Sequence, residues 1–183
     1  MSAAPIFTAE HELFRDQVRK FVAREIAPHH PLWEKEKRVP KEAWRKAGEA
    51  GLLCMTMPEE YGGAGADVLH SIILGEELAR VAATGPGFGL HSDIIAPYIN
   101  NVGSEEQKRK WLPKMASGEV IAAIAMTEPG AGSDLQNIKT TAKRDGNEFV
   151  INGAKTFISN GQNCDLVVVV AKTDPKEGAR GVT

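Results

Sequence analysis

Residues 125–134 read AMTEPGAGSD, and within this stretch a short apolar run ends in a loop of hydroxyls, glycines and a proline. The run itself, residues 120–126, is apolar without interruption, too short for a membrane span and typical of a buried strand. Gly130 and Gly132 carry no Cβ, so another molecule can approach the backbone closely, while a threonine and a serine supply hydroxyls at the two ends. The stretch predicts a polar binding loop after a buried strand.

Before this stretch the chain carries helical periodicity. Apolar residues recur at helical spacing in several segments, each bounded by capping residues or by glycine and proline. The predicted helices cover residues 8–26 with Thr8 as N-cap, about 40–51 with Trp44 and Ala47 buried, 67–81 with Asp67 as N-cap, 90–101, and a last helix that Ser104 and Gln107 begin as a capping box. Pro28 and Pro31 are expected to end the first helix, leaving His29 and His30 in an exposed turn.

After Gly118 the periodicity changes to that of strands. The β-type runs are Thr140 to Arg144, Glu148 to Ile151, Thr156 to Ser159 and Leu166 to Ala171. Asp-Gly and Asn-Gly pairs separate them, which favours turns with positive φ and predicts an antiparallel meander or part of a small barrel. We expect an N-terminal helical domain over residues 1–119 and an incomplete β-domain over residues 120–183. The chain stops at the entry to a strand, so we expect a fragment of a longer protein.

Composition excludes several classes of function. Charged residues make up 25% of the 183 residues and the formal net charge is −2, so no basic surface points to nucleic acid or to an anionic membrane. Met1 to Thr8 lacks the cationic start and apolar core of a secretory signal. We therefore expect a cytoplasmic chain, with a processed mitochondrial protein as the alternative.

Cysteines and histidines give no sign of a metal site. Cys54 and Cys164 lie far apart without a second cysteine or histidine at ligand spacing, so both are expected to be free thiols. The single histidines at positions 11, 70 and 91 fall on helical patterns, and no further zinc ligands stand near them in the sequence.

Two motifs together carry a resemblance to a known family. The first is MTEPGAGSD at residues 126–134, and the second is NGAKTFISNG at residues 152–161. Their pairing, supported by PEEYGG at residues 58–63 and GSEEQ at residues 103–107, resembles the acyl-CoA dehydrogenase family over essentially the whole chain, with a pattern most similar to long-chain members. The resemblance implies an α+β, multi-domain fold: an all-α N-terminal domain, an antiparallel β-barrel-like middle domain that is truncated here, and a C-terminal helical domain that is absent.

The resemblance also implies a reaction. Members of this family remove a proton from the α-carbon of a fatty acyl-CoA and pass the β-hydrogen as hydride to N5 of FAD, giving a trans-2-enoyl-CoA. The electrons then leave to an electron-transfer flavoprotein, and the enzymes are homo-oligomers, tetramers or dimers. Their catalytic base is a glutamate in the C-terminal helices, so it is expected beyond Thr183 and the fragment is expected to be inactive.

By the same resemblance, one set of residues is expected to bind FAD. Thr127 corresponds to a hydroxyl at the pyrimidine end of the flavin, Phe157 to an aromatic wall and Ser159 to a hydroxyl near N5. Ser133 corresponds to a contact with the CoA arm of the substrate or with the FAD diphosphate. The complete set is Ile124, Ala125, Met126, Thr127, Gly132, Ser133, Phe157, Ile158 and Ser159. Many members carry tryptophan and threonine where this chain has Phe157 and Ser159, which leaves the preferred acyl length open.

Other readings of the same residues stay open. Thr127 and Ser133 are also suited to capping turns, and Phe157 and Ile158 to an ordinary core. Glu128 at the head of a tight loop favours a structural role over that of a base. At the level of function, an acyl-CoA oxidase or related flavin monooxygenase is one alternative, and a non-catalytic interaction module is another.

Overall fold

The computed structural model describes residues 6–183, and the chain divides into two compact units, Met1–Ile121 and Ala122–Thr183. Most of the segment Met1 to Thr8, which the sequence prediction about a secretory signal concerns, lies outside the described residues. Over residues 6–183, no helix has both the length and the apolar character that crossing a membrane requires.

The first unit is helical. Its α-helices among the described residues are α1 (Ala9–Phe21), α2 (His30–Glu36), α3 (Lys41–Glu49), α4 (Val68–Arg80), α5 (Ala96–Val102) and α6 (Glu105–Ala116). A π-helical segment, Val22–Ile26, continues α1, and another, Leu90–Ile95, leads into α5. A short 3₁₀ turn at Glu59–Tyr61 lies in the loop before α4.

Side-chain caps begin three of these helices, as predicted. The hydroxyl of Thr8 accepts from the backbone N–H of His11, the Asp67 carboxylate from Leu69, and the Ser104 hydroxyl from Gln107. Each cap satisfies a backbone donor that the helix itself leaves free, and such a contact is worth about 1 kcal/mol. The starts of α1, α4 and α6 therefore follow from local sequence alone.

The core of this unit is built around Trp44. Trp44 and Ala47 of α3 are fully buried, which confirms the predicted inner face of that helix. The indole packs edge-to-face against Phe88, with ring centroids 4.9 Å apart, and against His91 at 5.2 Å. Burial lowers the pKa of His91 to about 4, so this imidazole is neutral and belongs to the packing.

The predicted exposed turn is correct for His29, which lies exposed in the turn before α2, and wrong for His30. α2 begins at His30, and its first turn tolerates Pro31 because a proline near a helix start has no N–H to lose. His30 is buried, and its Nε2 accepts a hydrogen bond of 3.0 Å from the backbone N–H of Gly85. Prolines that end one helix can thus also begin the next, which the sequence prediction did not consider.

The second unit contains four short strands in two pairs. They are β1 (Ala122–Ala125), β2 (Thr141–Asp145), β3 (Glu148–Asn152) and β4 (Leu166–Val169). β2 and β3 form the predicted antiparallel hairpin through Gly146, which has positive φ. β1 is buried along its whole length, as the apolar run predicts.

Two details of the predicted sheet are wrong. β1 pairs with β4 in parallel, so the strands do not form a continuous antiparallel meander, and no closed barrel forms within the described residues. Thr156 to Ser159 is a loop and not a strand, because Phe157 has a φ of 56° that no strand can contain. Cys54 and Cys164 are free, as expected.

Candidate functional site

The two sequence motifs lie side by side in the second unit. The backbone N–H of Thr156 donates to the carbonyl of Thr127 over 3.0 Å, and Lys155 Nζ donates to the carbonyl of Met126 over 2.8 Å. The side-chain amide of Asn160 also reaches the carbonyl of Ala122 in β1, at 3.2 Å. Segments about 30 residues apart in sequence therefore form one surface at the end of β1.

A buried ion pair holds this surface together. Glu128 is 5% exposed, and its Oε1 lies 2.9 Å from Lys155 Nζ. The same carboxylate accepts hydrogen bonds from the backbone N–H groups of Lys139 and Thr140. We call Glu128, Lys155 and these two backbone donors the Glu128 clamp.

The charge of Glu128 persists despite its burial. Burial raises the pKa of a carboxyl, but donors on Thr140, Lys139 and Lys155 outweigh that effect and lower the pKa of Glu128 from 4.5 to about 2. A carboxylate with so low a pKa is a poor proton acceptor at neutral pH, because it gives up any proton readily. This agrees with the structural role that the sequence favours for Glu128.

Beyond the clamp the chain makes a tight turn. Glu128 and Ala131 exchange two backbone hydrogen bonds of 2.9 and 3.2 Å, which leaves Pro129 and Gly130 at the tip. A Cβ added to Gly130 or to Gly132 would meet no atom within 4 Å, and neither glycine has positive φ. Local packing and backbone strain therefore require glycine at neither position, and the space beside the backbone is open at both.

Phe157 combines an exposed side chain with an unusual backbone conformation. Its side chain is 91% exposed and its φ of 56° lies in the left-handed region, which is strained for a bulky residue. Neighbouring bonds impose this geometry, because Thr156 is tied to Thr127 and the carbonyl of Ile158 accepts from Gly161. An exposed aromatic side chain on a constrained backbone is typical of a surface that meets a flat or apolar partner.

The predicted site residues divide by their position on this surface. Ile124 and Ala125 are buried in β1, and the carbonyl of Ala125 accepts from Val170. Met126, Thr127 and Ile158 are half-buried, whereas Gly132, Ser133 and Ser159 are exposed. The clamp brings Met126 and Thr127 to the segment of Phe157. Within residues 6–183, no hydrogen bond joins Ser133 to Ser159.

Sequence reasoning missed the part that Lys155 has in this site. Its amine is 11% exposed and contacts both the Met126 carbonyl and the Glu128 carboxylate, so it connects the two motifs directly. The sequence did offer one sign of this role, a single lysine in the second motif whose charge is opposite to that of the glutamate in the first. Lys155 is the one charged residue of the second motif and the first motif has two acidic residues, Glu128 and Asp134, so a pair between the motifs was a reasonable candidate.

Comparison with known proteins was made over the whole chain. The family model for the acyl-CoA dehydrogenase N-terminal domain matches residues 8–119, and the model for the acyl-CoA dehydrogenase middle domain matches residues 123–183. A mouse relative, the long-chain specific acyl-CoA dehydrogenase of mitochondria, is 51% identical over 180 residues. That match covers 97% of this chain and 42% of the mouse protein.

Solved structures give the same result. The acyl-CoA dehydrogenase of Geobacillus kaustophilus aligns with a TM-score of 0.94 and 51% identity, over 99% of this chain and 48% of that one. A glutaryl-CoA dehydrogenase of Mycobacterium smegmatis, solved in complex with FADH2, aligns with a TM-score of 0.86 and 31% identity, over 92% of this chain and 44% of that one. The chain thus spans a little less than half the length of these relatives.

Proposed function

We propose a function from one premise, that this chain belongs to the acyl-CoA dehydrogenase family. The proposed activity of the whole protein is the FAD-dependent α,β-dehydrogenation of a fatty acyl-CoA to a trans-2-enoyl-CoA. This chain supplies the helical N-terminal domain, residues 1–119, and part of the middle domain, residues 120–183. A C-terminal helical domain completes the enzyme, in line with the 42% of the mouse relative that the chain matches.

The observation that carries the proposal is the surface made by the two motifs. Two glycines leave the loop backbone open where nothing in the chain requires it, and Phe157 presents an exposed aromatic face on a constrained backbone. Such a surface suits a large planar cofactor, since an open backbone offers hydrogen bonds and an aromatic side chain offers stacking. The residues present therefore fit a flavin.

Specific roles follow for these residues. The backbone of Ile124, Ala125 and Met126 lines the flavin, and the hydroxyl of Thr127 hydrogen-bonds its pyrimidine end. A fixed donor there stabilises the additional negative charge that reduction brings. When bound, FAD supplies the hydride acceptor of the reaction.

The second motif supplies the other side of the proposed site. Phe157 and Ile158 exclude water from the region of hydride transfer, while the Ser159 hydroxyl orients the ring near N5. Gly132 allows close approach, and Ser133 contacts the CoA arm of the substrate or the FAD diphosphate. From the family, the catalytic glutamate is expected in the C-terminal helices beyond Thr183, and Glu128 is already occupied by its clamp.

The wider assignment rests on the family and on the mouse relative. We propose a long straight-chain acyl-CoA as substrate, an electron-transfer flavoprotein as electron acceptor, a homo-oligomer as the assembly and the cytoplasm as the compartment. The mouse protein is named as long-chain specific and mitochondrial, which supports the substrate and leaves mitochondria as the competing compartment.

A glycine substitution tests the cofactor site directly. We expect Gly132→Val in the full-length protein to weaken FAD binding at least about tenfold, because the new side chain occupies the space through which the cofactor approaches. Stability in the absence of FAD should change by less than about 0.5 kcal/mol, since the side chain meets no protein atom. FAD fluorescence quenching and urea denaturation measure the two quantities.

Gly75→Val is the matched control. Gly75 lies on α4, is exposed, and also has no atom within 4 Å of an added Cβ. FAD affinity should be unchanged in this variant. Equal FAD affinity in Gly132→Val and the unsubstituted protein would exclude this loop from the cofactor site.

A further inference from the structure

A cluster of two imidazoles and one carboxylate lies where α1 and α4 begin. His11, Asp67 and His70 each offer one ligand atom, and these three atoms all lie within 4.8 Å of one another. His11 is 6% exposed, while Asp67 is open to solvent through a side chain that is 55% exposed. His11 and His70 are 59 positions apart in the sequence. The packing of α1 on α4 brings them together.

Asp67 is the centre of the cluster. Its Oδ1 lies 2.9 Å from His70 Nδ1 and 3.2 Å from His11 Nε2, and its Oδ2 is also 3.2 Å from His11 Nε2. These contacts, with hydrogen bonding to His70 as the largest favourable cause, lower the pKa of Asp67. Asp67 thus contacts a ring nitrogen of each histidine at the same time.

The spacing of these atoms is close to that of a first coordination sphere. Zinc lies about 2.0–2.1 Å from histidine nitrogen and carboxylate oxygen, so two ligands at a tetrahedral angle are about 3.3 Å apart. Both carboxylate-to-imidazole distances are within about 0.4 Å of that value. Only the two imidazole nitrogens need to move closer, and His70 has room to move because its side chain is 18% exposed.

The surroundings of the cluster also match a metal site. His11 Nδ1 lies 3.0 Å from the hydroxyl of Thr8, which fixes the ring from behind. Metal-bound histidines are usually oriented by such a contact on the second ring nitrogen. The rings of His11 and Phe14 both contact His70, with centroids 4.8 Å away, so apolar edges restrict the imidazole on two sides.

We propose that His11, Asp67 and His70 form a binding site for a divalent transition-metal ion of the zinc type. His11 Nε2, His70 Nδ1 and one Asp67 oxygen are the protein ligands, and water completes the tetrahedron on the exposed side. Two neutral imidazoles and one carboxylate are a donor set that Zn²⁺ and Co²⁺ both accept. The three ligands belong to the first unit of the chain, whereas the two motifs belong to the second.

Metal binding changes the tautomer of both imidazoles, and each ring keeps its one proton. In the metal-free protein His11 Nε2 and His70 Nδ1 carry the protons that point to Asp67, since Thr8 donates its backbone N–H to His11 Nδ1. On binding, the proton of His11 moves to Nδ1 and is donated to the Thr8 hydroxyl, and the proton of His70 moves to Nε2. The Thr8 N–H contact is lost, and both helix N-termini repel a cation, so these two effects limit the affinity.

Titration of the full-length protein with Co²⁺ tests the site, after removal of any histidine tag. We expect one Co²⁺ per chain, seen as tetrahedral visible absorption that Zn²⁺ abolishes by competition. His70→Gln should weaken binding at least about tenfold, and Asp67→Asn should do the same while keeping the N-cap of α4. Circular dichroism of each variant establishes that it is folded.

His29→Gln is the matched control, because it removes an exposed imidazole that is not one of the three proposed ligands. Binding in this variant should equal that of the unsubstituted protein. The proposal is overturned if the unsubstituted protein binds no Co²⁺, or if folded His70→Gln binds it as tightly as the unsubstituted protein. Should Asp67→Asn fail to fold, His70→Gln alone decides the outcome.

Discussion

At the scale of single residues, Glu128 shows how a buried charge can fix a binding loop. The Glu128 clamp joins the end of β1 to the start of β2 through Thr140, and to the second motif through Lys155. The side chain of Lys155 is 11% exposed and that of Glu128 is 4% exposed. Either charge alone would be costly to bury here, so each is stabilised by the other. The clamp therefore positions the loop more than it contributes net stability.

Removal of the Glu128 charge is predicted to destabilise the protein. Glu128→Gln replaces an acceptor oxygen with an amide NH₂ that faces donors, and it leaves the Lys155 amine without its counter-ion. We expect a loss of about 2–4 kcal/mol in the free energy of unfolding, measured by urea denaturation at pH 7. Glu148→Gln is the control, because this glutamate is exposed on β3 and should change stability by less than about 0.5 kcal/mol.

The same variant has a characteristic dependence on pH. The folded-state pKa of Glu128 is about 2, below its ordinary value of 4.5. Its contribution to stability is therefore fully present above about pH 4.5 and is lost as the pH falls towards 2. The stability difference between the unsubstituted protein and Glu128→Gln should shrink over this range. A difference that stays constant from pH 7 to pH 3 would contradict the assigned pKa.

At the scale of elements, α1 and α4 are joined by a buried carboxylate. Glu77 on α4 is 2% exposed and accepts two hydrogen bonds of 3.0 Å from Arg19 and one of 3.4 Å from Arg15. Hydrogen bonding by Arg19 is the largest cause that lowers the pKa of Glu77. The neighbouring Glu76 also pairs with Arg15 but is half-exposed, so Glu77 has a buried role at the helix interface and Glu76 a surface role.

Substitution of each glutamate separates these two roles. Glu77→Gln removes the counter-ion of two arginines at the helix interface, so we expect a loss of about 2–3 kcal/mol in the free energy of unfolding. Glu76 is 49% exposed and pairs with Arg15 at the surface, so Glu76→Gln should lose no more than about 1 kcal/mol. Thermal denaturation of the two variants side by side measures the difference. Equal losses would show that the burial of Glu77 has no energetic consequence.

The helical unit could be predicted largely from sequence because its signals are local. Thr8, Asp67 and Ser104 lie within three residues of the donors they cap, and the burial of Trp44 follows from spacing along one helix. The error at His30 arose from the prolines around it, because proline can either end a helix or begin one.

The second unit was less predictable because its contacts are not local. The parallel pairing of β1 with β4 joins residues 44 positions apart, such as Ala122 and Leu166, and no turn between them sets the register. The left-handed backbone conformation of Phe157 depends on the hydrogen bond from Thr156 to Thr127. Thr127 lies outside the segment, so the segment's own sequence does not predict this conformation. The site residues could be predicted from the resemblance to a family. The role of Lys155 could not, because only the three-dimensional contacts reveal it.

At the scale of the whole molecule, the chain matches the N-terminal and middle domains of the acyl-CoA dehydrogenase family. It matches less than half of the mouse relative, and the proposed catalytic glutamate lies outside it. We therefore expect the 183-residue chain alone to show no acyl-CoA oxidation with an artificial electron acceptor. Activity of the isolated chain would place the base among the residues described here and would contradict the assignment.

Anaerobic titration of the full-length protein with a long-chain acyl-CoA decides whether the two motifs form part of a flavin site in an acyl-CoA dehydrogenase. We predict a yellow protein whose flavin absorbance is bleached by about one equivalent of substrate, with a trans-2-enoyl-CoA as product. Slow reoxidation in air identifies a dehydrogenase, and rapid reoxidation an oxidase. A protein that stays colourless after incubation with FAD, or a bound flavin that no acyl-CoA bleaches, would contradict the claim.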